Sequence, residues 1–213
     1  NKRDYYLEYQ NTQELYRKEN GMIINMDPFW TSLSKYEISG YSIRSLTKED
    51  RDEIFEFLQE NSDYFLLENG RLPRDTDGQT FVTDLPPNKQ PSDKFAISVD
   101  LDHRIAALVE IVRDYPEEHI WWIGLLLIHP SYRGIGLGGR ICRLLEQLVC
   151  LMRGKEIRLG VLAKNIPGHH FWKRMGFTHI QTKHGMVIGE KTHTVHVMAK
   201  LLEQSASQKE LTF

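Results

Sequence analysis

Hydrophobic residues recur along the chain with two different periods, and each period predicts a type of element. Residues 41–46 alternate between apolar and polar side chains, and residues 95–99, 105–112 and 121–128 form apolar runs, patterns that are typical of strands. The remaining predicted strands are 157–162, 178–188 and 192–199. A tight turn joins the strands at 95–99 and 105–112, and the last two strands form a hairpin around Gly189-Glu190.

Helical spacing of apolar residues begins shortly after the run at 121–128, where Ile141, Leu144, Leu145 and Leu148 share one face. An earlier helix is predicted to begin at residues 47–50, which have the Thr-x-x-acid order of a helix start. Its inward-facing side chains, and those of its continuation, are expected to be Ile54, Phe55, Leu58 and Phe65. A further helix is predicted at 12–19. Residues 68–94 carry four prolines and are expected to be irregular, either serving a site or forming a surface insertion.

A glycine-rich segment, residues 133–138, lies between the apolar strand at 121–128 and the helix that follows it. Strand, glycine loop and helix in this order leave backbone N–H groups at a helix N-terminus, a place that favours a phosphate group. Arg133 adds a cation at the entrance of this loop. An ordinary strand-to-helix turn would have the same sequence, so the loop alone leaves both interpretations open.

Two other phosphate-binding motifs fit the loop less well. A nucleotide-binding P-loop ends in Gly-Lys-Ser/Thr, whereas Gly138 is followed by Gly139-Arg140-Ile141. The dinucleotide pattern Gly-x-Gly-x-x-Gly is met formally by Gly134, Gly136 and Gly139. That pattern belongs near the start of a parallel sheet, however, and here it follows mainly antiparallel-looking strands.

A second segment lies further along the chain, with Asn165, the aromatic pair Phe171-Trp172, and Gly176-Phe177. Together the two segments resemble the GNAT superfamily of N-acetyltransferases. That family carries Arg/Gln-x-x-Gly-x-Gly/Ala after its fourth strand and then an Asn, an aromatic pair and Gly-Phe. The resemblance covers residues 41–201, and the two motifs in this order are specific.

The resemblance implies an α/β (α+β) fold. We expect a central mixed, mostly antiparallel sheet of six to seven strands flanked by helices, with a V-shaped splay between the fourth and fifth strands. It divides the chain into an N-terminal extension, 1–40, expected to pack on the domain, an acetyltransferase domain, 41–201, and a polar tail, 202–213.

The resemblance also implies acetyl-CoA as cosubstrate and no metal. The loop residues expected to hold its pyrophosphate are Arg133, Gly134, Ile135, Gly136, Leu137 and Gly138. Backbone groups near Leu126 and Ile128 are expected to pair with the pantetheine arm and polarise the thioester carbonyl, stabilising the oxyanion that develops there. Asn165 is expected to serve the cofactor through its amide, or to cap the helix that begins near Pro167.

Trp172 departs from the family pattern, because many members have at this place a tyrosine whose hydroxyl protonates the departing thiolate. An indole cannot supply that proton, so Phe171 and Trp172 are expected only to pack against the cofactor arm. His169 and His170 are nearby substitutes for the acid. The CoA thiol, with a pKa near that of cysteine, about 8.5, can also leave unprotonated or take a proton from water.

Direct attack by an amine also needs a base, because most alkyl amines are protonated at neutral pH. Family members often place a glutamate on the fourth strand, but no acid occurs in residues 123–127. Glu110, inside the neighbouring apolar strand, is the leading candidate, although strand alternation alone also allows it to face solvent. Lesser candidates are Asp114, His119 and His129.

Composition narrows the class of partner. The chain has 27 Lys and Arg against 29 Asp and Glu, with no long basic run, which argues against nucleic acid. The longest apolar run is too short to span a bilayer. Cys142 and Cys150 lie too far apart on one predicted helix to form a disulfide, which is typical of reduced thiols in a cytoplasmic protein.

The predicted function is acetyl transfer from acetyl-CoA to the amine of a small molecule or, as a second choice, of a peptide, by a monomer or homodimer. The alternative is a non-catalytic acyl-CoA sensor or interaction module that keeps the fold.

Overall fold

The computed structural model describes residues 27–33, 35–36 and 38–203. Its helices are α1 Pro28–Leu33, α2 Arg51–Glu60, α3 Ser62–Asn69, α4 Asp75–Thr83, α5 Leu137–Leu151 and α6 Ile166–Arg174. Its strands are β1 Ser42–Ser45, β2 Lys94–Leu101, β3 Arg104–Val112, β4 Ile120–Ile128, β5 Glu156–Leu162, β6 Thr178–Ile188 and β7 Lys191–Leu201. The helix predicted at 12–19 and the tail beyond residue 203 lie outside the described residues.

One sheet joins all seven of these strands, in the order β1-β2-β3-β4-β5-β7-β6. Every neighbouring pair is antiparallel except β4 and β5, which run parallel. A parallel pair needs a long crossover, and α5 provides it. The predicted mixed, mostly antiparallel sheet is therefore confirmed.

The parallel pair separates before either strand ends. Pairing runs only from Ile120 opposite Glu156 to Ile123 opposite Leu159, whereas β4 continues to Ile128 and β5 to Leu162. Beyond Ile123, β4 keeps only β3 as a paired neighbour. The splay predicted between the fourth and fifth strands is thus present, and we call the space between the unpaired carboxyl ends of β4 and β5 the cleft.

Helices cover both faces of the sheet. On one face α5 buries Ile141, Leu145 and Leu148 completely, because residues spaced by three and four share one side of a helix. On the other face α2 and α3 pack on the sheet and form a second core, in which Ile54 of α2 and Leu108 of β3 are buried. Each such side chain contributes about 1.5–3 kcal/mol when it is fully buried.

The inward face of α2 differs from the prediction at one position. Phe57 is buried and Phe55 is only half-buried, since Ile54, Phe57 and Leu58 form the i, i+3, i+4 stripe that faces the sheet.

The prediction that residues 68–94 are irregular is wrong for α4. The prolines flank this helix instead of interrupting it. Asp77 accepts a hydrogen bond from the backbone N–H of Arg74 at 2.6 Å and pairs with Arg71 at 2.7 Å, which fixes the start of the helix. Gly78 lets α4 approach α2 closely, because a Cβ there would lie 2.1 Å from the carbonyl oxygen of Arg51.

The described part of the segment 1–40 packs on the sheet. Phe29 is fully buried, with its ring centroid 4.0 Å from that of Phe95 and 5.8 Å from that of Trp121. Asp27 pairs with Arg113 at 2.8 Å. Residues 1–26 lie outside the described residues.

Candidate active site

The glycine loop forms an open cradle of backbone amides before α5. Gly134 and Gly136 have φ angles of +80° and +85°, a left-handed conformation that favours glycine, and no heavy atom lies within 4 Å of a Cβ built on either. The amide of Arg140 donates to the carbonyl of Gly136 at 3.2 Å. The amides of 134–139 have no acceptor among the residues that the structure describes. They are therefore free to bind an anion at the N-terminus of a long helix.

Arg133, expected to present a cation at the entrance of the loop, joins α3 to the end of β4. Its guanidinium pairs with Asp63 at 2.7 Å and donates to Asn61 Oδ1 at 2.8 Å, and its Nε donates to the carbonyl of Ile128 at 3.0 Å. The same guanidinium lowers the pKa of Asp63. The charge of Arg133 is thus already paired, which leaves the amides as the groups of the loop that have no partner among the described residues.

Three other loop residues have distinct surroundings. Leu137 is buried in the core, whereas Ile135 is exposed, so any contribution of Leu137 to an anion comes from its backbone. Gly138 lets α6 approach the start of α5, because a Cβ there would lie 3.1 Å from the ring of Phe171. Phe171 itself is half-buried.

Leu126 and Ile128 lie on β4 beyond the point where it leaves β5, with their side chains against the α5 core. The backbone N–H of His129 donates to the carbonyl of Ala106 at 2.9 Å, so the backbone groups of His129 point toward β3. Because successive residues of a strand direct their backbone groups to opposite edges, those of Ile128 and Leu126 point away from β3, into the cleft. The Ile128 carbonyl is occupied by Arg133.

Glu110 lies beside a β-bulge on β4. In the β3–β4 register Glu110 is opposite Leu125 and Ile111 is opposite Ile123, which leaves Gly124 as the extra residue. The Oε1 atom of Glu110 lies 2.5 Å from the point that a Cβ of Gly124 would occupy. A carboxylate from β3 thus fills the space that a side chain of β4 would have filled, close to where β4 diverges from β5.

The surroundings of Glu110 raise the pKa of its carboxyl group above the ordinary value for glutamate. Burial raises the pKa of Glu110, the nearby carboxylates of Asp84 and Glu68 raise it further, and Lys94 opposes them. The ammonium of Lys94 lies 3.2 Å from Glu110 Oε2. A general base is most effective when its pKa is shifted toward the working pH, which is the direction found here.

The lesser candidates for the base are held elsewhere. Asp114 accepts a hydrogen bond from the backbone N–H of His119 at 2.7 Å, and both residues precede β4, at the end away from the cleft. His129 contacts Glu60 at 3.0 Å and accepts from the Ser131 amide at 3.2 Å, so both of its ring nitrogens are engaged.

The second motif places its residues along α6. Asn165 Oδ1 accepts from the Gly168 amide at 3.0 Å and so caps the helix, while its Nδ2 has no acceptor within the described part of the chain. Trp172 is buried, with its ring centroid 4.8 Å from that of Phe171 and 5.1 Å from that of Phe177. Trp172 is therefore a core residue, and Asn165 can cap the helix and still donate to a ligand.

The two histidines that precede Phe171 have different surroundings. The His169 ring lies 5.0 Å from that of His196 on β7, and burial lowers the pKa of His169. His170 is exposed.

Sequence reasoning did not identify the polar residues that α3 and β2 bring toward Glu110. Tyr64 donates to Glu68 Oε1 at 3.0 Å, His193 on β7 contacts the Glu68 carbonyl at 2.7 Å, and burial raises the pKa of Glu68. Lys94 is almost fully buried. In the sequence these residues lie on a short helix and near the ends of two strands, so no local signal distinguishes them.

The parallel strand pair thus opens beside an amide-rich helix N-terminus, the arrangement expected for an acyltransferase of the family that the sequence resembles. The model of the acetyltransferase (GNAT) family matches residues 54–177, more than half of the chain. The chain belongs to this family. Among curated proteins, none matches it.

Solved structures share the fold at low sequence identity. The ribosomal-protein-S18-alanine N-acetyltransferase of Escherichia coli is 14% identical, with a TM-score of 0.59 over 81% of this chain and 99% of that one. The ribosomal-protein-S5-alanine acetyltransferase of Vibrio fischeri is 14% identical, with a TM-score of 0.63 over 79% and 96% of the two chains. A GNAT-family acetyltransferase of Streptococcus pneumoniae is 20% identical, with a TM-score of 0.58 over 76% and 99%.

Two further observations concern partners. No helix in the described part of the chain is both long and apolar enough to cross a membrane. The described residues also contain no group of three or more His, Cys, Asp or Glu side chains placed to hold a metal ion.

Proposed function

We propose that the protein transfers the acetyl group of acetyl-CoA to a primary amine by direct attack of the amine on the thioester. The observation that carries this proposal is the position of Glu110. Its carboxylate takes the place of a Gly124 side chain at the bulge, next to the cleft that the diverging strands open. The base that the fourth strand lacks is supplied from the third.

The donor-binding residues have separate tasks in this proposal. The amides of 134–138 bind the pyrophosphate, since they have no acceptor among the described residues and lie at a helix N-terminus. The backbone edge of β4 at Leu126 pairs with the pantetheine arm and stabilises the negative charge that develops on the thioester oxygen. Asn165 Nδ2 donates to the donor molecule, and Phe171 packs against it.

Glu110 removes the proton that the amine must lose. The amine nitrogen forms a bond to the carbonyl carbon and loses its second proton to water, the carbon–sulfur bond breaks, and the thiolate of CoA leaves. Trp172 is buried and is no acid, so the thiolate takes its proton from water or leaves charged.

A small-molecule amine is our first choice of acceptor and a peptide amine our second. The names of the Escherichia coli and Vibrio fischeri structures support the second, because those proteins acetylate alanine residues of ribosomal proteins. CoA release in the presence of acetyl-CoA, measured first with a panel of small amines and then with peptides that have a free N-terminus, tests both. Release above the acceptor-free rate with any of them supports the proposal.

One observation favours the alternative of a non-catalytic acyl-CoA sensor. The position of the family tyrosine is occupied by Trp172, which packs in the core. A sensor would bind acetyl-CoA and release no CoA with any amine in the panel.

Two variants of Asn165 separate its capping role from its proposed cofactor role. Asn165→Asp keeps the oxygen that accepts from Gly168 and loses the free amide, so we expect the melting temperature of the unliganded protein to be retained and acetyl-CoA affinity to fall. Asn165→Ala also loses the cap, and we expect about 0.5–2 kcal/mol less stability. Thermal unfolding and calorimetric titration of both variants measure the two effects. Unchanged affinity in Asn165→Asp would leave capping as the only role.

A further inference from the structure

Lys94 is a buried lysine that the mechanism above does not use. It begins β2, diagonally across from Glu110 on the same face of the sheet, since Ala96 is the direct partner of Glu110. Its side chain is 3% exposed. Its ammonium donates to the carbonyl of Asp84 at 2.6 Å and lies 3.2 Å from Glu110 Oε2. Burying a charge so deeply costs folding free energy unless an opposite charge and hydrogen bonds offset it.

We propose that Lys94 is a positioning residue for acetyl transfer, which holds the Glu110 carboxylate against Gly124 and keeps it ionised. This inference rests on the proposed role of Glu110 as the base. Lys94 acts on Glu110 alone and does not touch the acceptor amine.

The charges around Glu110 explain why it needs a fixed cation. Asp84, at the end of α4, and Glu68, on α3, both favour the protonated form of Glu110, as does burial. Lys94, on β2, favours the ionised form. An opposite charge at this distance shifts the pKa of a carboxyl group by about 1–3 units. Removing the ammonium would therefore leave Glu110 protonated, and inactive as a base, at a pH where the native enzyme works.

The test compares Lys94→Met with Lys94→Arg and with Lys89→Met. Lys89 is a matched control, because its ammonium also lies 3.2 Å from a carboxylate, Asp93, and donates to a backbone carbonyl, that of Asp114 at 3.2 Å. The rate of each variant is divided by the wild-type rate with the same amine at each pH, so that ionisation of the amine cancels.

We expect the acidic limb of the pH–rate profile to move up by about 1–3 pH units in Lys94→Met. On that limb the relative rate should fall by about 10-fold or more, and it should recover at alkaline pH. Lys94→Arg should retain most of the wild-type rate, and Lys89→Met should have the wild-type rate at every pH. Acetyl-CoA affinity should not change, so that the loss is in turnover.

A titration of the Glu110 carboxyl followed by ¹³C NMR, with the signal assigned by its loss in Glu110→Gln, gives a readout that needs no substrate. The Glu110 pKa should rise in Lys94→Met, or in Lys94→Gln if the methionine variant does not fold. A loss of rate by the same factor at every pH, with an unchanged Glu110 titration, would overturn the proposal for Lys94. Full activity of Glu110→Gln would instead remove Glu110 as the base.

Discussion

Glu110→Gln lowers the turnover of acetyl transfer by about 10²–10⁴-fold, the range that general bases contribute, and leaves acetyl-CoA binding intact. Glutamine has the same shape as glutamate, so it still fills the space beside Gly124, but it cannot accept the proton of the amine. Steady-state kinetics with a saturating amine, together with a calorimetric titration of acetyl-CoA, measure both halves of this expectation.

Glu146→Gln is the matched control for this variant. Glu146 is a half-buried carboxylate that pairs with Lys200 at 2.7 Å, much as Glu110 pairs with Lys94, but it lies on α5, away from the cleft. Its turnover should equal that of the wild type. Equal turnover in Glu110→Gln would show that the proton leaves by another route.

Gly136→Asp abolishes the stabilisation of the protein by acetyl-CoA. The new carboxylate lies among the amides that bind the pyrophosphate and repels it. A ligand present at 100 times its Kd adds about 2.7 kcal/mol of stability, which for a chain of this size raises the melting temperature by about 5–10 °C. We expect that rise in the wild type and none in the variant.

The strain of a left-handed aspartate has to be separated from the charge in the loop. Gly185, on β6, provides the control, because its φ is +68° and it too has open space at its Cβ position. Gly185→Asp should lower the stability of the unliganded protein by a comparable amount and keep the full rise in melting temperature with acetyl-CoA. If acetyl-CoA raised the melting temperature of Gly136→Asp as much as that of the wild type, the pyrophosphate would have to bind outside the loop.

The strands and the glycine loop could be predicted from the sequence because their signals are local. Apolar runs such as 105–112 identify a buried strand wherever it lies in the sheet. The loop at 133–138 is recognisable because its glycines stand between a strand and a helix. The splay of β4 from β5 was expected from the family resemblance, and Pro130, just past β4, agrees with it because proline cannot donate a hydrogen bond to a neighbouring strand.

The parts that the sequence did not predict depend on residues far apart in the chain. Arg133 pairs with Asp63, seventy positions away, and this pairing decides how much of its charge remains for a ligand. Lys94 meets Glu110 only because β2 and β3 form a hairpin with a particular register. Proline content suggested an irregular segment around α4, yet the contact of Gly78 with α2 and the capping by Asp77 favour the helix.

The roles of Glu110, of the loop and of Asn165 stay predictions, and they share one requirement, that the protein binds acetyl-CoA. A calorimetric titration of the unaltered chain with acetyl-CoA, at two temperatures so that a binding enthalpy near zero at one is not mistaken for the absence of binding, tests it most directly. We predict saturable binding to one site, and CoA should compete for it. No binding at either temperature would contradict the account, and the transferase proposal would then be abandoned together with the sensor alternative.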